Sequence, residues 1–250
     1  MVTRVLTVSI LAGLLAGLIV AALQQVTTTP LILKAETYEN AMAAPASSPA
    51  SSPAAFNGEA RIILAHGGAD HAEGAEHDEW KPQDGVQRML FTSTATIGTA
   101  IGFAALLLAG MLAAGEAIDQ RRALIWGACG FLAFGLAPGM GLAPELPGAA
   151  SAALQARQLW WVATAIATAA GLFLFLRHDA AWLKLVAVVV ILLPHLVGAP
   201  HAPTPESKVP AELAAHFTSL SLGIQAALWL VTAFMVGTLW PWLSRRAAAR

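Results

Sequence analysis

The side chains here that could ligate a cation are concentrated in three short stretches. "HGGADHAEGAEHDEW", residues 66–80, sets His66, His71 and His77 among five acidic residues, with three glycines between them. "LLPHLVGAPH" carries His195 and His201, and "PAELAAHFTSL" carries Glu212 and His216. Neutral imidazole and carboxylate are the ligand types of zinc, cobalt, nickel and copper ions.

Spacing separates these stretches into two kinds. His66 and Asp70, like Glu73 and His77, stand four apart and would share a helix face. Gly67, Gly68 and Gly74 oppose a stable helix there. The stretch therefore reads as a tether that captures ions weakly, without the fixed geometry of a closed site. The plainer reading is a solvated acidic loop. Glu212 and His216 also stand four apart, just after Pro210, a good first-turn residue. A Glu-x-x-x-His pair can hold one divalent cation, and His195 at a neighbouring helix end would add a third ligand. The plainer reading makes Glu212 a partner of the helix dipole and His216 an interfacial residue.

Other polar residues sit beside apolar runs. Glu145 lies in "GLAPELPG", a Pro-braced segment that could re-enter the membrane and line a cavity. "FTSTATIGT" holds Thr92 and Thr96 in a stripe of hydroxyls. That stripe would either line an ion path or, the favoured reading, bond neighbouring helices. "QARQLWW" carries Trp160 and Trp161, which fit an interfacial aromatic belt.

The elements that must position these residues are apolar helices. The chain has 250 residues, 57% hydrophobic and 12% charged, against about 25% charged in soluble domains. Val5 to Leu33 contains no charged residue and is long enough to cross a bilayer core of about 30 Å. It reads as a retained helix, since its apolar run is too long for a signal peptide and no small-x-small site follows directly. Further apolar runs span 89–114, 123–137, 158–176, 182–198 and 217–242. Pro138 is expected to end the run from Ala123, with "GMGLA" completing the crossing in irregular form. The expected fold is an all-α integral membrane protein. It is a bundle of about six transmembrane helices with one long, partly disordered outer loop. The first helix covers 1–25, the histidine-bearing loop and its Pro/Ser/Ala linker 26–88, and a five-helix domain 89–250.

An even number of spans puts both termini on one side. There, eight basic residues (Arg4, Arg121, Arg122, Arg177, Lys184, Arg245, Arg246 and Arg250) face three acids, Glu116, Asp119 and Asp179. The other side carries six basic and twelve acidic residues. The positive-inside rule makes the termini cytoplasmic and the long loop external. A negative outer face concentrates cations.

Several classes fall away. Without a Walker A loop or dinucleotide fingerprint, nothing in the chain binds ATP. Cys129 is the single cysteine, so no disulfide forms within one chain. No HExxH motif or nucleophile–base pair suggests an enzyme, and no nucleic-acid partner is expected. Lipid is the surrounding partner, and a homo-oligomer is compatible. A membrane haem protein using His195 and His216 as axial ligands is a weaker alternative, because these histidines stand at span ends rather than within spans.

The order of "EWKP", "APELPG", "RQLWW", "PHLVGAP" and "VPAELAAHF" after an N-terminal span resembles the predicted cobalt transporter subunit family labelled CbtA. The resemblance covers nearly the whole chain. It implies a bacterial inner-membrane protein tied to cobalt supply for cobalamin synthesis, with a small single-span companion of CbtB type. Members often carry denser His-Asp-His runs in the first loop than the widely spaced His66, His71 and His77 here. The expected function is divalent-metal uptake, with no permanently bound cofactor. Cobalt is favoured by the resemblance; nickel and zinc suit the same ligands. The alternative is an accessory subunit of another carrier that does not itself transport.

Overall fold

The computed structural model describes residues 1–43, 82–83, 85–203, 207 and 209–248. Among them every regular element is helical. In chain order these are α1 (Val2–Val26), α2 (Thr28–Ala43), α3 (Val86–Ala113), α4 (Gln120–Phe131), a π-helical turn (Leu132–Leu136), α5 (Ala137–Gly141), α6 (Leu154–Arg177), α7 (Ala181–Val197) and α8 (Ala211–Ala248). The π turn joins α4 and α5 into one helical stretch, Gln120–Gly141. That stretch, α1, α3, α6 and α8 make five helices long and apolar enough to cross a membrane. The sixth apolar helix, α7, has 17 residues, or about 26 Å at 1.5 Å per residue.

The helices meet through small residues. Apolar surface gives little drive for association in lipid, so close backbone approach and dispersion must hold the helices together. On α1, Gly13 and Gly17 form a small-xxx-small face against α3. A Cβ at Gly13 would lie 2.3 Å from the Ile101 Cα, and one at Gly17 2.6 Å from the Ile97 Cα. Ala12, Ala16, Ala100 and Ala104 are fully buried. On α4, Gly127 accepts Ala233 and Gly130 accepts the Trp229 ring of α8. Gly171 of α6 receives Ile191 of α7. α7 packs principally on α6, and that hairpin meets the rest of the bundle through α4, the π turn and α5.

The two chain ends lie together. Arg4 donates to the Trp240 carbonyl at 3.2 Å and to the Ser244 hydroxyl, with its guanidinium 3.9 Å from the centre of the Trp240 ring. The α3–α4 turn is at this end too, since a Cβ at Gly237 would lie 3.0 Å from the Asp119 carbonyl oxygen. Asp119 caps α4 by accepting the Arg122 N–H at 2.9 Å. We call this the terminal end, and the opposite one the loop end.

Two expectations about elements change. Pro138 does not end the third span. It lacks an N–H and clashes with the carbonyl four residues back. The π turn just before it shifts the hydrogen-bond register, with the Ala137 N–H bonding the Leu132 oxygen, and α5 continues to Gly141. The interval 26–88 also opens with a helix rather than irregular chain. Ala35 of α2 is buried with Leu146, Val209, Leu213 and Phe217, and partly buried Leu31 and Ile32 pack against them. An ion pair between Glu36 and Arg88 ties α2 to the start of α3.

Candidate functional site

His66, His71 and His77 lie outside the described residues. The other sequence candidates separate in space. Leu213 and Phe217 turn the buried face of α8 toward α2, while Glu212 and His216 are exposed. His195, half-buried at the end of α7, sets its ring edge-on to Trp160 with centroids 5.7 Å apart. His201 is exposed in the coil that follows. Among the described residues no three His, Cys, Asp or Glu side chains converge as a metal site. The three-ligand arrangement of His195, Glu212 and His216 is therefore not assembled in this conformation. Thr92 is exposed, whereas buried Thr96 donates to the Gln24 Oε1 of α1 at 2.8 Å. That contact joins two helices.

Glu145 is differently placed. It lies in the irregular segment between α5 and α6, and that segment is fixed at two points. The Pro144 carbonyl accepts the Thr218 hydroxyl at 3.1 Å, and Leu146 is buried beneath α2 and α8. Glu145 Oε2 meets Arg157 Nη2 at 2.8 Å. Both border a cavity of about 400 Å³ at the loop end, with Gln158, Gln225, Phe134 and Gly135 among its other walls. Gln225 comes from the interior of α8, and a Cβ at Gly135 would stand 2.9 Å from its Oε1. Only glycine lets the amide lie this close to the π turn.

A second cavity, about 430 Å³, opens at the terminal end between α3 and α6. Its walls are mostly apolar and include Cys129, Phe173 and Trp229. Glu116, Arg122 and Arg177 stand at its charged edge, where Glu116 accepts from each arginine at 3.2 Å. Phe134, at the middle of the π turn, borders both cavities. Its ring centroid lies 6.1 Å from Trp161 of α6 and 5.6 Å from Trp229 of α8. Trp229 stacks in turn on Phe103 of α3 at 4.3 Å.

Sequence reading missed Gln225 and the role of Phe134. The available signal for the first was a lone amide in an otherwise apolar span, where polar groups need partners or a cavity. For the second it was Pro138 four residues on. The two tryptophans differ in burial, Trp160 being enclosed and Trp161 37% exposed. Trp160 is buried and donates its indole N–H to the Pro194 carbonyl at 3.2 Å, and Trp161 packs on Phe134.

A helical bundle with five helices long and apolar enough to cross a membrane, and a carboxylate–arginine pair bordering a partly polar cavity, has the character of a polytopic membrane protein. The family model described as probable cobalt transporter subunit, CbtA, matches residues 2–241. The chain belongs to that family. Comparison with curated proteins and with solved structures gave no match. The description as a subunit implies a partner component.

Proposed function

We propose that this chain is the ion-conducting membrane subunit of a cobalt uptake system. The family match over residues 2–241 carries the reading. The termini are cytoplasmic and the loop end is external, as the basic residues of the terminal end favour. The setting is a bacterial inner membrane, and a small single-span subunit of CbtB type is the partner. His66, His71 and His77 collect ions loosely in the external loop. The exposed Glu212 and His216 offer a two-ligand station beside it, with His195 and His201 nearby in sequence on the preceding helix end. Glu145 then receives the ion.

The membrane potential supplies the drive. Inward passage is worth about 2.3 kcal/mol per charge per 100 mV, and a divalent cation gains twice that. No nucleotide site is needed. Nitrogen and oxygen ligands alone favour nickel over cobalt, so geometry or supply selects the metal.

The test is accumulation of radioactive cobalt by cells expressing the chain alone and with its companion, with nickel and zinc as competitors. Accumulation above an empty-vector control in either case supports conduction. Absence of accumulation with both subunits present would leave a non-transporting accessory role.

A further inference from the structure

The two cavities share Phe134 as a wall and, taken together, outline one groove. Its floor is α4, the π turn and α5; α6 forms one wall, and α3 and α8 contribute the other. Glu116, Arg122 and Arg177 border the terminal-end half, Glu145 and Arg157 the loop-end half, and the Phe134 ring, in contact with Trp161 and Trp229, borders both. The halves differ in chemistry. The loop-end half presents a carboxylate and two side-chain amides, from Glu145, Gln158 and Gln225. The terminal-end half is apolar up to its charged edge.

We propose that this groove is the cation path in its closed state, with Phe134 as the gate, the π turn as its hinge, and Glu145 with Gln225 as the external cation site. The inference rests on the transport reading above and assigns its route.

Three observations converge on it. First, a π turn at Leu132–Leu136 followed by Pro138 interrupts the regular α-helical donor set. Irregular backbone at membrane depth is tolerated where it is buried in protein or lines a cavity, and interrupted helices supply carbonyl oxygens to cations in transporters. Second, the side chain at the centre of that turn separates the two halves. A change of one residue in helical register rotates the following residues by about 100°, enough to carry Phe134 out of the groove. Third, the wall opposite is an α6–α7 hairpin joined to the bundle chiefly along this same helix. It can swing without unpacking the α1–α3 or α4–α8 faces. Trp229 also leaves its indole N–H without a hydrogen-bond partner among the described residues, although the side chain is buried and lines the groove. Such a donor gains a partner when water or hydrated cargo enters.

Arg157 has a defined part in this arrangement. Its guanidinium pairs with Glu145 at 2.8 Å. An incoming divalent ion must displace that charge, which keeps the site closed to weakly held ions.

Cys129 supplies the test, because it is the single cysteine of the chain and lines the terminal-end half. The full-length protein, with its companion where needed, is placed in right-side-out and inside-out vesicles and treated with a membrane-impermeant thiol reagent. The expected result is labelling of Cys129 from the terminal end only. Phe134→Ala and, as a second variant, Trp161→Ala should admit the reagent from the loop end as well. Unchanged one-sided labelling in both variants, with normal thermal unfolding, would overturn the gate. So would labelling of the wild type from both ends, or from neither. Side-specific labelling without any cobalt flux would retain the gate and overturn the cobalt reading; cobalt flux with unaltered labelling would do the reverse.

Discussion

Glu145 Oε2 and Arg157 Nη2 stand 2.8 Å apart at the edge of the loop-end cavity. The pair is about one-third exposed on each side, so its direct contribution to folding is small, on the order of 1 kcal/mol or less. On the proposed route its value lies in holding a carboxylate at a partly polar recess. Glu145→Gln keeps the shape and removes the charge. We expect the half-saturating cobalt concentration to rise by about tenfold, the equivalent of 1.4 kcal/mol, with normal folding. Arg157→Gln removes the competitor and should lower it. Concentration series of cobalt uptake on both variants check this. Equal half-saturation in both variants and the wild type would remove the pair from the path.

The proposed collector role of the outer histidines predicts a graded outcome. Replacing His66, His71 and His77 together should raise the half-saturating metal concentration and leave the maximal uptake rate nearly unchanged. Glu212→Ala with His216→Ala should do the same, because both side chains are exposed and border neither of the two cavities. Uptake kinetics at saturating cobalt separate the cases. Loss of the maximal rate in the Glu212/His216 variant would place these residues in the path itself.

The α1–α3 seam has no room for a methyl group at Gly13, where the obstruction is the backbone of Ile101. Gly13→Ala must part the helices, and overpacking of this kind costs about 1–3 kcal/mol. Gly98 and Gly102 have nothing within 4 Å of their added Cβ. Alanine there should be neutral or stabilising by up to about 1 kcal/mol through helix propensity. Thermal unfolding in detergent checks the contrast. A Gly13→Ala protein as stable as Gly98→Ala would contradict the close backbone approach of Gly13 to Ile101.

Arg4 joins the chain ends by a hydrogen bond to the Trp240 carbonyl and by stacking on its ring. A cation–π contact contributes about 0.5–2 kcal/mol. Arg4→Lys keeps the charge that the proposed topology uses to orient the first helix but loses the planar stack. We expect normal topology with reduced thermal stability, whereas Arg4→Ala should also weaken insertion in the correct sense. Reporter fusions at the N-terminus, with unfolding midpoints, distinguish the two effects.

Much of this fold was legible because a membrane helix is written in consecutive apolar residues. The runs 158–176 and 217–242 fall within α6 and α8, 89–114 overruns α3 by one residue, and 5–33 is divided at Thr27 between α1 and α2. The helix α2 was not legible. Its sequence "TTPLILKAETYENAMA" is only partly apolar, and its stability comes from burying Ala35 against Leu146 and Phe217. Those are contacts distant in sequence. Pro138 misled for a related reason, since the π turn accommodates it locally. Of the candidate residues, Glu145 was legible as a carboxylate braced by prolines near the membrane. Gln225 was not, because a single amide in a span reads the same whether it faces a cavity or a neighbouring helix. Among the described residues His195, Glu212 and His216 form no three-ligand group, and helical spacing within α8 alone does not set which of its faces meets a neighbouring helix end.

The most direct test of the central claim is cobalt flux through purified protein. The chain, with its companion, is reconstituted in liposomes loaded with a cobalt-quenched dye, and a potential, inside negative, is imposed. We expect quenching that depends on the potential, saturates with cobalt and weakens in Glu145→Gln. Quenching no faster than in protein-free liposomes, with folded protein present in the correct orientation, would contradict conduction by this chain.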